Sequence, residues 1–154
     1  PVVILSLLVF NFYNFRTRAR CFSGDVGAVA IAFILLFLLG TFIMRTGEIS
    51  VLILLGVYGV DGVLTIIHRL MLKENIGQPH RKHLYQLLAN EAKIPHLSVS
   101  FFYMATQALV GGGYLLVLKY APAYTLFYAI VSLVVLVAVY LPLRRKYYAL
   151  LEEK

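Results

Sequence analysis

Long apolar runs separated by short polar and basic segments dominate the pattern of this 154-residue chain. Four of these runs reach the roughly 20 residues that an α-helix needs to cross the hydrocarbon core of a bilayer. They cover residues 26–44, 49–70, 98–118 and 123–143. Residues 1–10 are also apolar but too short to span, and we interpret them as the end of a helix that begins upstream. The pattern predicts an all-α fold: a polytopic, integral-membrane helical bundle with four full transmembrane helices and a truncated N-terminal one.

One longer polar segment, residues 71–97, separates the two helix pairs and is predicted to be a loop. Gly77-Gln78-Pro79 breaks any helix that continues from the second span, because proline has no amide donor and glycine is flexible. Residues 80–93 then show a helical pattern, which predicts a short amphipathic helix at the membrane surface. Its apolar face carries Leu84, Leu87 and Leu88. We interpret residues 1–154 as a single membrane domain that includes this loop.

Composition and charge support the membrane assignment and orient it. Apolar residues make up 61% of the chain, and its net charge is +7. Three, five and four of the 14 basic residues lie in segments 16–20, 69–93 and 144–154, and only Arg45 and Lys119 lie in the intervening turns. Because cytoplasmic loops retain lysine and arginine, the three basic segments are predicted to face the cytoplasm. This bias explains the net charge, so no nucleic-acid partner is predicted.

The first polar cluster, Cys21-Phe22-Ser23-Gly24-Asp25-Val26-Gly27, lies where a basic loop meets the first full span. A carboxylate beside hydrocarbon is costly, which favours a functional role for Asp25. Gly24 and Gly27 have no Cβ, so the backbone can turn sharply and a phosphate or metal can approach closely. Because Mg²⁺ prefers carboxylate oxygens together with substrate phosphates, Asp25 is the candidate magnesium ligand. The arginines of residues 16–20 either anchor the loop at the bilayer or hold phosphate.

The second cluster is a stripe of Asp61, Thr65 and His68 within the second span. Spacings of four and three place these side chains on one helical face. An ionised aspartate facing lipid would be costly, so the stripe is predicted to point into the bundle. Two interpretations stay open. In the structural one, Asp61 forms a hydrogen bond between helices or an ion pair with Arg69. In the functional one, the stripe is part of a site.

The third cluster is Pro79-His80-Arg81-Lys82-His83 in the polar loop. Two histidines three residues apart share a helical face and can bind metal or phosphate. A closed zinc site requires four ligands, and the nearby sequence does not supply them, so a zinc site is not predicted. Arginine and histidine beside a carboxylate-bound Mg²⁺ would instead suit a diphosphate.

The last two spans carry less chemistry. Gly111-Gly112-Gly113 lies in the third span, where Ala108 and Gly112 form a small-xxx-small pair that is typical of close helix packing. A functional break in that helix is the alternative interpretation. The fourth span is rich in valine and shows no polar residue suited to catalysis, so it is interpreted as scaffold.

In this order, the clusters resemble the polyprenyl-phosphate sugar-1-phosphate transferases (glycosyltransferase family 4), which include undecaprenyl-phosphate GlcNAc-1-phosphate and phospho-MurNAc-pentapeptide transferases. Residues 22–27 match the family's Phe-x-Gly-Asp-x-Gly signature, and Asp61 and Arg69 match an aspartate followed eight residues on by arginine. Residues 79–86 resemble its Pro-x-Arg-x-His-Leu-His-His loop. Tyr85 and Gln86 replace the later histidines, so Arg81 and His83 carry over. The resemblance covers about residues 11–91, and the last two spans match in topology only.

The resemblance implies a Mg²⁺-dependent phosphoglycosyltransferase. Such an enzyme transfers sugar 1-phosphate, here GlcNAc 1-phosphate, from a UDP-sugar to undecaprenyl or another polyprenyl phosphate and releases UMP. It implies catalytic roles for Asp25 and His83, and it implies that Asp25 is also the metal ligand. The implied substrate contacts come from Asn14, Gly24, Gly27, Asp61 and Arg81. The membrane would be the bacterial cytoplasmic one, with the active site facing the cytoplasm.

The resemblance also implies a role in cell-envelope synthesis, such as cell wall or lipopolysaccharide precursors. A homodimer is left open. The family's paired-aspartate motif belongs to the first half of its members, so this chain corresponds to the C-terminal half and is expected to be inactive alone. The main alternative is a small transporter or ion channel that uses Asp61 as an intramembrane site. It predicts Asp61 as the most sensitive position, whereas the enzyme predicts Asp25 and His83. A membrane scaffold without chemistry ranks third.

Overall fold

A computed structural model describes residues 2–16, 18, 20–21, 24–78 and 81–152, with the backbone alone for Asp25 and residues 150–152. Every regular element in these residues is helical. Four of the helices are long and apolar enough to cross a membrane: Val26–Thr46, Ile49–Met71, His96–Tyr120 and Pro122–Ala149. Each predicted span lies inside one of them, so the all-α, four-span prediction is confirmed.

The chain divides into two compact units, Pro1–Glu48 and Ile49–Lys154, which we describe separately. The first unit contains α1 (Val2–Asn14) and α2 (Gly24–Thr46). Most described side chains of these two helices are exposed, and α1 buries none. A helix that is apolar on all sides belongs in a core or in lipid, which fits the predicted membrane setting.

The second unit is built from α3 (Gly56–Met71), α5 (His96–Tyr120) and α6 (Thr125–Glu152). A 3₁₀ segment, Ile49–Leu55, precedes α3, and a 3₁₀ turn, Pro122–Tyr124, precedes α6. Residues 72–95 connect α3 to α5 and contain a single helical turn, α4 (Leu84–Gln86).

The second span is not α-helical throughout, because its first seven residues form the 3₁₀ segment. Gln107 of α5 lies beside the junction with α3. Its Oε1 accepts a hydrogen bond from the Val57 amide at 3.0 Å, and its Nε2 donates to the Ile53 carbonyl at 3.3 Å. The first amides of a helix have no partner within it, so one glutamine satisfies groups on both sides of the change in pitch.

The glycine triplet serves helix packing, and α5 runs through it without interruption. A Cβ at Gly111 would lie 3.3 Å from Leu54 Cδ2, and one at Gly113 would overlap the Tyr128 ring. The space beside Gly112 is open. The packing interpretation is therefore confirmed for Gly111 and Gly113. Ala108 and Gly112 are exposed among the described residues, so the packing predicted for this pair stays a prediction.

The predicted amphipathic helix is shorter than its sequence pattern suggested. Residues 84–86 form α4, and a π-helical turn, Leu87–Glu91, follows it. The apolar face was predicted correctly: Leu84, Leu87 and Leu88 are buried. Leu84 and Leu88 pack with Val60 of α3, Val99 of α5 and Tyr140 of α6 in the core of the second unit. Burial of this face holds the connecting segment against all three long helices.

Helices α3 and α6 pack in parallel at the end of the unit that carries the loop. Three successive contacts step along both helices together: Asp61 with Tyr140, Leu64 with Arg144, and His68 with Tyr148. Steps of three and four residues on α3 and of four residues on α6 keep these positions on one face of each helix. The polar stripe predicted on α3 therefore faces α6.

Candidate functional site

Of the predicted site residues, the first unit holds Asn14, Gly24, Asp25 and Gly27. Asn14 ends α1, and its Oδ1 accepts a hydrogen bond from the Cys21 amide at 2.9 Å. This contact closes the basic loop between the two helices. Arg16 donates from Nε to the Phe12 carbonyl at 2.7 Å and lies over the Phe12 ring, which anchors it locally.

Gly24 begins α2 with a φ of +61°, in the left-handed region that favours glycine. This is the sharp turn that the Gly-Asp-x-Gly pattern predicted. Asp25 is the second residue of α2, and Gly27 lies within its first turn. The first amides of a helix have no partner inside it and favour negative charge nearby. The Asp25 side chain and residues 22–23 lie outside the described part, so magnesium binding there stays a prediction.

Asp61 is the hydrogen-bonding centre of the second unit and is only 2% exposed. Its Oδ1 accepts from the Thr65 hydroxyl at 3.3 Å, the Tyr140 hydroxyl at 2.9 Å and the Leu84 amide at 3.0 Å. Its Oδ2 accepts from the Tyr103 hydroxyl at 3.0 Å. Donors from α3, α5, α6 and the loop thus stabilise one buried carboxylate, and charge-assisted hydrogen bonds of this kind are the strong ones.

This carboxylate also positions His83, the predicted catalytic histidine. His83 Nδ1 lies 3.5 Å from Asp61 Oδ1, and the next residue, Leu84, donates its amide to the same oxygen. The imidazole stacks on Tyr85, with ring centroids 5.5 Å apart. Gln86 Oε1 accepts from the His83 amide at 3.3 Å. Because Nδ1 faces Asp61, the opposite ring nitrogen, Nε2, is directed away from that carboxylate.

The first half of the loop is held by Arg69, which is 2% exposed at the end of α3. Its Nε donates to Glu74 Oε2 at 3.1 Å. Its two terminal nitrogens donate to three loop carbonyls, those of Asn75, Ile76 and Gln78. One guanidinium therefore organises residues 74–78.

Glu74 bridges Arg69 and Lys82 and so ties the two halves of the loop together. The hydrogen bond from Lys82 lowers the pKa of the Glu74 carboxyl below its ordinary value of 4.5. The same bond raises the pKa of Lys82 above 10.5. Both groups are therefore charged at neutral pH. Burial raises the pKa of the Tyr85 phenol, so this ring stays neutral beside His83.

Arg81 is exposed between Lys82 and the undescribed residues 79–80. The structure therefore brings Asp61 and His83 together and places Arg81 on the same short segment. His80, the partner proposed for His83 on one helical face, lies outside the described residues. Across the part of the chain that is described, no three His, Cys, Asp or Glu side chains form a group that could hold a metal ion.

The structural interpretation of Asp61 as a hydrogen-bonding link between helices is confirmed. The other form of that interpretation, an ion pair of Asp61 with Arg69, was wrong, since Arg69 binds Glu74 instead. Eight residues of α-helix separate Asp61 from Arg69 by about 12 Å along the axis, which explains the difference.

Three contributors were missed: Tyr103, Tyr140 and Arg144. The fourth span was interpreted as scaffold without useful polar groups, yet Tyr140 donates to Asp61 and Arg144 Nη1 donates to the Leu64 carbonyl at 3.0 Å. One signal was present, because a buried tyrosine hydroxyl needs a partner and Asp61 was the carboxylate predicted to face inward.

Comparison with known proteins adds a relative. The chain is 34% identical over 107 residues to a protein of Bacillus subtilis (strain 168) named "probable undecaprenyl-phosphate N-acetylglucosaminyl 1-phosphate transferase". The match covers 67% of this chain and 30% of that protein, so the chain spans less than a third of its relative's length. No family model matches the chain, and no solved structure matches it. The identity agrees with the resemblance carried by the ordered motifs, and this partial sequence belongs to the polyprenyl-phosphate sugar-1-phosphate transferase family.

Proposed function

We propose that the complete protein containing this chain transfers sugar 1-phosphate from a UDP-sugar to a polyprenyl phosphate and releases UMP. One observation carries the proposal: the 34% identity to a relative whose name states a GlcNAc-1-phosphate transfer to undecaprenyl phosphate. The donor sugar proposed here is GlcNAc, and the product would enter cell-envelope polysaccharide synthesis. The reaction is a displacement at phosphorus, which depends mainly on positioning and on neutralising charge.

The loop geometry supports the roles proposed for Arg81 and His83. Both residues lie just before Leu84, whose amide is fixed by the buried Asp61 carboxylate. Residues on a segment tied to three long helices keep their geometry, and a 1 Å error in placement is costly in catalysis. In this proposal Arg81 and His83 hold the diphosphate of the donor, and Asp61 positions them. Asn14 contributes a contact to the nucleotide.

Asp25 is the proposed magnesium ligand, and Gly24 and Gly27 give the phosphates close access to it. A bound Mg²⁺ would neutralise the diphosphate as the bond to UMP breaks. One carboxylate is a sufficient protein contribution, because Mg²⁺ usually keeps waters and takes its other oxygens from substrate phosphates. The left-handed turn at Gly24 supports the proposal, since it places Asp25 at the start of α2.

The transporter alternative is not favoured. An intramembrane carboxylate that binds a transported ion must exchange its ligands. The Asp61 oxygens instead accept four hydrogen bonds from groups on three helices and the loop. Losing those contacts in each transport cycle would leave the Leu84 amide and the Tyr103 hydroxyl without an acceptor, at about 1–3 kcal/mol each.

The test uses membranes from cells that express the complete gene product. These are incubated with sugar-labelled UDP-GlcNAc, undecaprenyl phosphate and Mg²⁺, and label in the lipid phase is followed together with UMP. We expect labelled lipid that disappears with EDTA, and losses of at least about 100-fold in Asp25→Asn and in His83→Ala. Lys119→Ala is the matched control for Arg81→Ala. It removes a positive charge in the last turn of α5, at the end of that helix that is farther along the chain from the loop.

Wild-type activity in Asp25→Asn would contradict the metal assignment, and wild-type activity in both His83→Ala and Arg81→Ala would contradict the loop assignment. No labelled lipid from the well-folded complete protein with any common UDP-sugar would overturn the proposed function. The proposed cytoplasmic orientation of the loop is tested with Arg81→Cys in a background in which every other cysteine of the complete protein, Cys21 included, is replaced by serine. An impermeant maleimide should label this cysteine in inside-out vesicles and leave it unlabelled in intact cells.

A further inference from the structure

A basic cavity of about 360 Å³ lies between α3 and α6, at the end of the unit that carries the loop. None of its described lining side chains is acidic, and two of them are arginines. The lining residues are His68, Leu141, Arg144, Arg145, Tyr148 and Ala149. This cavity contains neither Asp61 nor the loop residues of the proposed active site.

Arg144 is the central feature of the cavity, because its guanidinium is buried with only part of its hydrogen bonding satisfied. The residue is 7% exposed. Its Nη1 donates to the Leu64 carbonyl, and the guanidinium lies 5.8 Å from the centre of the Tyr148 ring. Among the described residues, neither Nε nor Nη2 has a hydrogen-bond partner. A buried charge is costly unless it is paired, so this arrangement calls for an anion.

The two atoms without partners, which neighbouring side chains cover in this conformation, define the shape of the anion that they would bind once those side chains move aside. Nε and Nη2 share one edge of the planar guanidinium, and their N–H bonds point side by side. This fork matches two oxygens of a phosphate or carboxylate, which is why arginine binds such groups at two points. Arg145 is exposed and adds a second positive charge at the rim of the cavity.

We propose that this cavity, the Arg144 site, binds the phosphate of an anionic phospholipid headgroup. Helix α6 has a candidate span that ends at Ala149, so Arg144 lies within the last two turns, near the level of the headgroups. Leu141 lies about one turn deeper and is 51% exposed, so an acyl chain could continue along α6. Basic pockets between transmembrane helices on the cytoplasmic side are suited to such headgroups. The inference holds independently of the proposed catalytic function.

The test measures lipid binding to the complete protein, purified in detergent, by native mass spectrometry with phosphatidylglycerol or phosphatidylcholine added. We expect wild type to retain phosphatidylglycerol preferentially. Arg145→Gln should weaken that binding about fivefold, as expected for one basic side chain at an anionic headgroup. Arg144→Lys keeps the charge but loses the two-point edge, and we expect a loss of about tenfold or more.

Lys146→Gln is the matched control, because Lys146 is exposed next to Arg145 but does not line the cavity. General attraction of a basic helix end to anionic lipid would make Lys146→Gln and Arg145→Gln equally weak binders, and that outcome overturns the proposal. Displacement of the lipid by excess inorganic phosphate, but not by sodium chloride of equal ionic strength, would assign the site to a soluble phosphate instead. Equal binding of the two lipids by wild type would also contradict the inference. Melting temperatures show whether each variant is folded, and the Arg145→Gln comparison stands if Arg144→Lys is unstable.

Discussion

Replacing Asp61 should release the loop that carries Arg81 and His83. In Asp61→Ala the Leu84 amide and the Tyr103 hydroxyl lose their acceptor. The Tyr140 hydroxyl loses the carboxylate but keeps its contacts with the Thr65 hydroxyl and the backbone carbonyl of position 61. A hydrogen bond to a charged group contributes about 1.5–3 kcal/mol. Loss of the Leu84 bond alone therefore raises the population of the open loop about 10- to 150-fold. The half-buried Tyr103 hydroxyl, left without its acceptor, adds to the loss of global stability.

The assay is limited trypsin digestion of the complete protein in detergent, with cleavage of the Lys82–His83 bond quantified by mass spectrometry. Cleavage there requires His83 and Leu84 to leave their anchors, so its rate follows the open population when reclosing is fast. Cleavage after Arg18, an exposed residue of the first unit, is the internal reference.

Two variants make the comparison quantitative. Asp61→Asn keeps an oxygen for the Leu84 amide but not its charge, so we expect an increase of only about fivefold. Tyr103→Phe leaves the Leu84 contact intact and should change cleavage less than about threefold. Wild-type cleavage in a folded Asp61→Ala protein would refute the reasoning, because the loop would then be held by something other than Asp61.

Further predictions concern packing, capping and pH. Gly113→Ala should destabilise the protein by about 1–3 kcal/mol, because its Cβ would overlap Tyr128. Gly112→Ala is the control, because its Cβ would face open space. Equal melting temperatures of the two variants would contradict the packing. Gln107→Leu removes the side-chain partner of the Val57 amide and the Ile53 carbonyl, so it should destabilise the protein by about 1–3 kcal/mol for each group. Thr106→Val is the neutral control. Equal melting temperatures of the two variants would refute the capping role of Gln107. The pKa of Glu74 is lowered and that of Lys82 is raised, so their contact should be complete between about pH 4.5 and 10.5. It should weaken as the pH falls through the pKa of Glu74 in the folded protein. At the alkaline end it should weaken as the pH rises through the pKa of Lys82 in the folded protein. A spin label at Gly77→Cys, with every other cysteine of the protein replaced by serine, should gain mobility on the acid side. Persistence of this step in Glu74→Gln would assign it to another group.

The sequence predicted local features well because they depend on local patterns. Run length identified the four spans, and the leucine spacing identified the buried face of residues 84–88. Partners between helices were not predictable in the same way, since Tyr103 and Tyr140 are 42 and 79 positions from Asp61. The 3₁₀ segment was missed for a similar reason, because the glutamine that satisfies it lies 50 positions from Val57. A hydrophobic pattern gives the face that is buried but not the side chain that meets it.

The site followed the same division. The turn at Gly24 and the inward orientation of Asp61 follow from residue chemistry, namely the absence of a Cβ and the cost of a carboxylate in lipid. The partner of Arg69 did not follow from residue chemistry, because Asp61 was the carboxylate considered for it, whereas the fold places Glu74, five residues after Arg69, against its guanidinium. The chemical roles of Asp25, Arg81 and His83 depend on substrates, and experiments on the complete protein must test them.

One measurement tests the central claim most directly: the fate of the β-phosphate of the donor. UDP-GlcNAc labelled with ³²P at the β-phosphate is given to the complete protein with undecaprenyl phosphate and Mg²⁺, and the lipid and aqueous phases are separated. Transfer of sugar 1-phosphate predicts that ³²P enters the lipid and unlabelled UMP appears in the water. Radioactivity that stays in aqueous UDP while sugar reaches the lipid, or that reaches no lipid at all, would contradict the account.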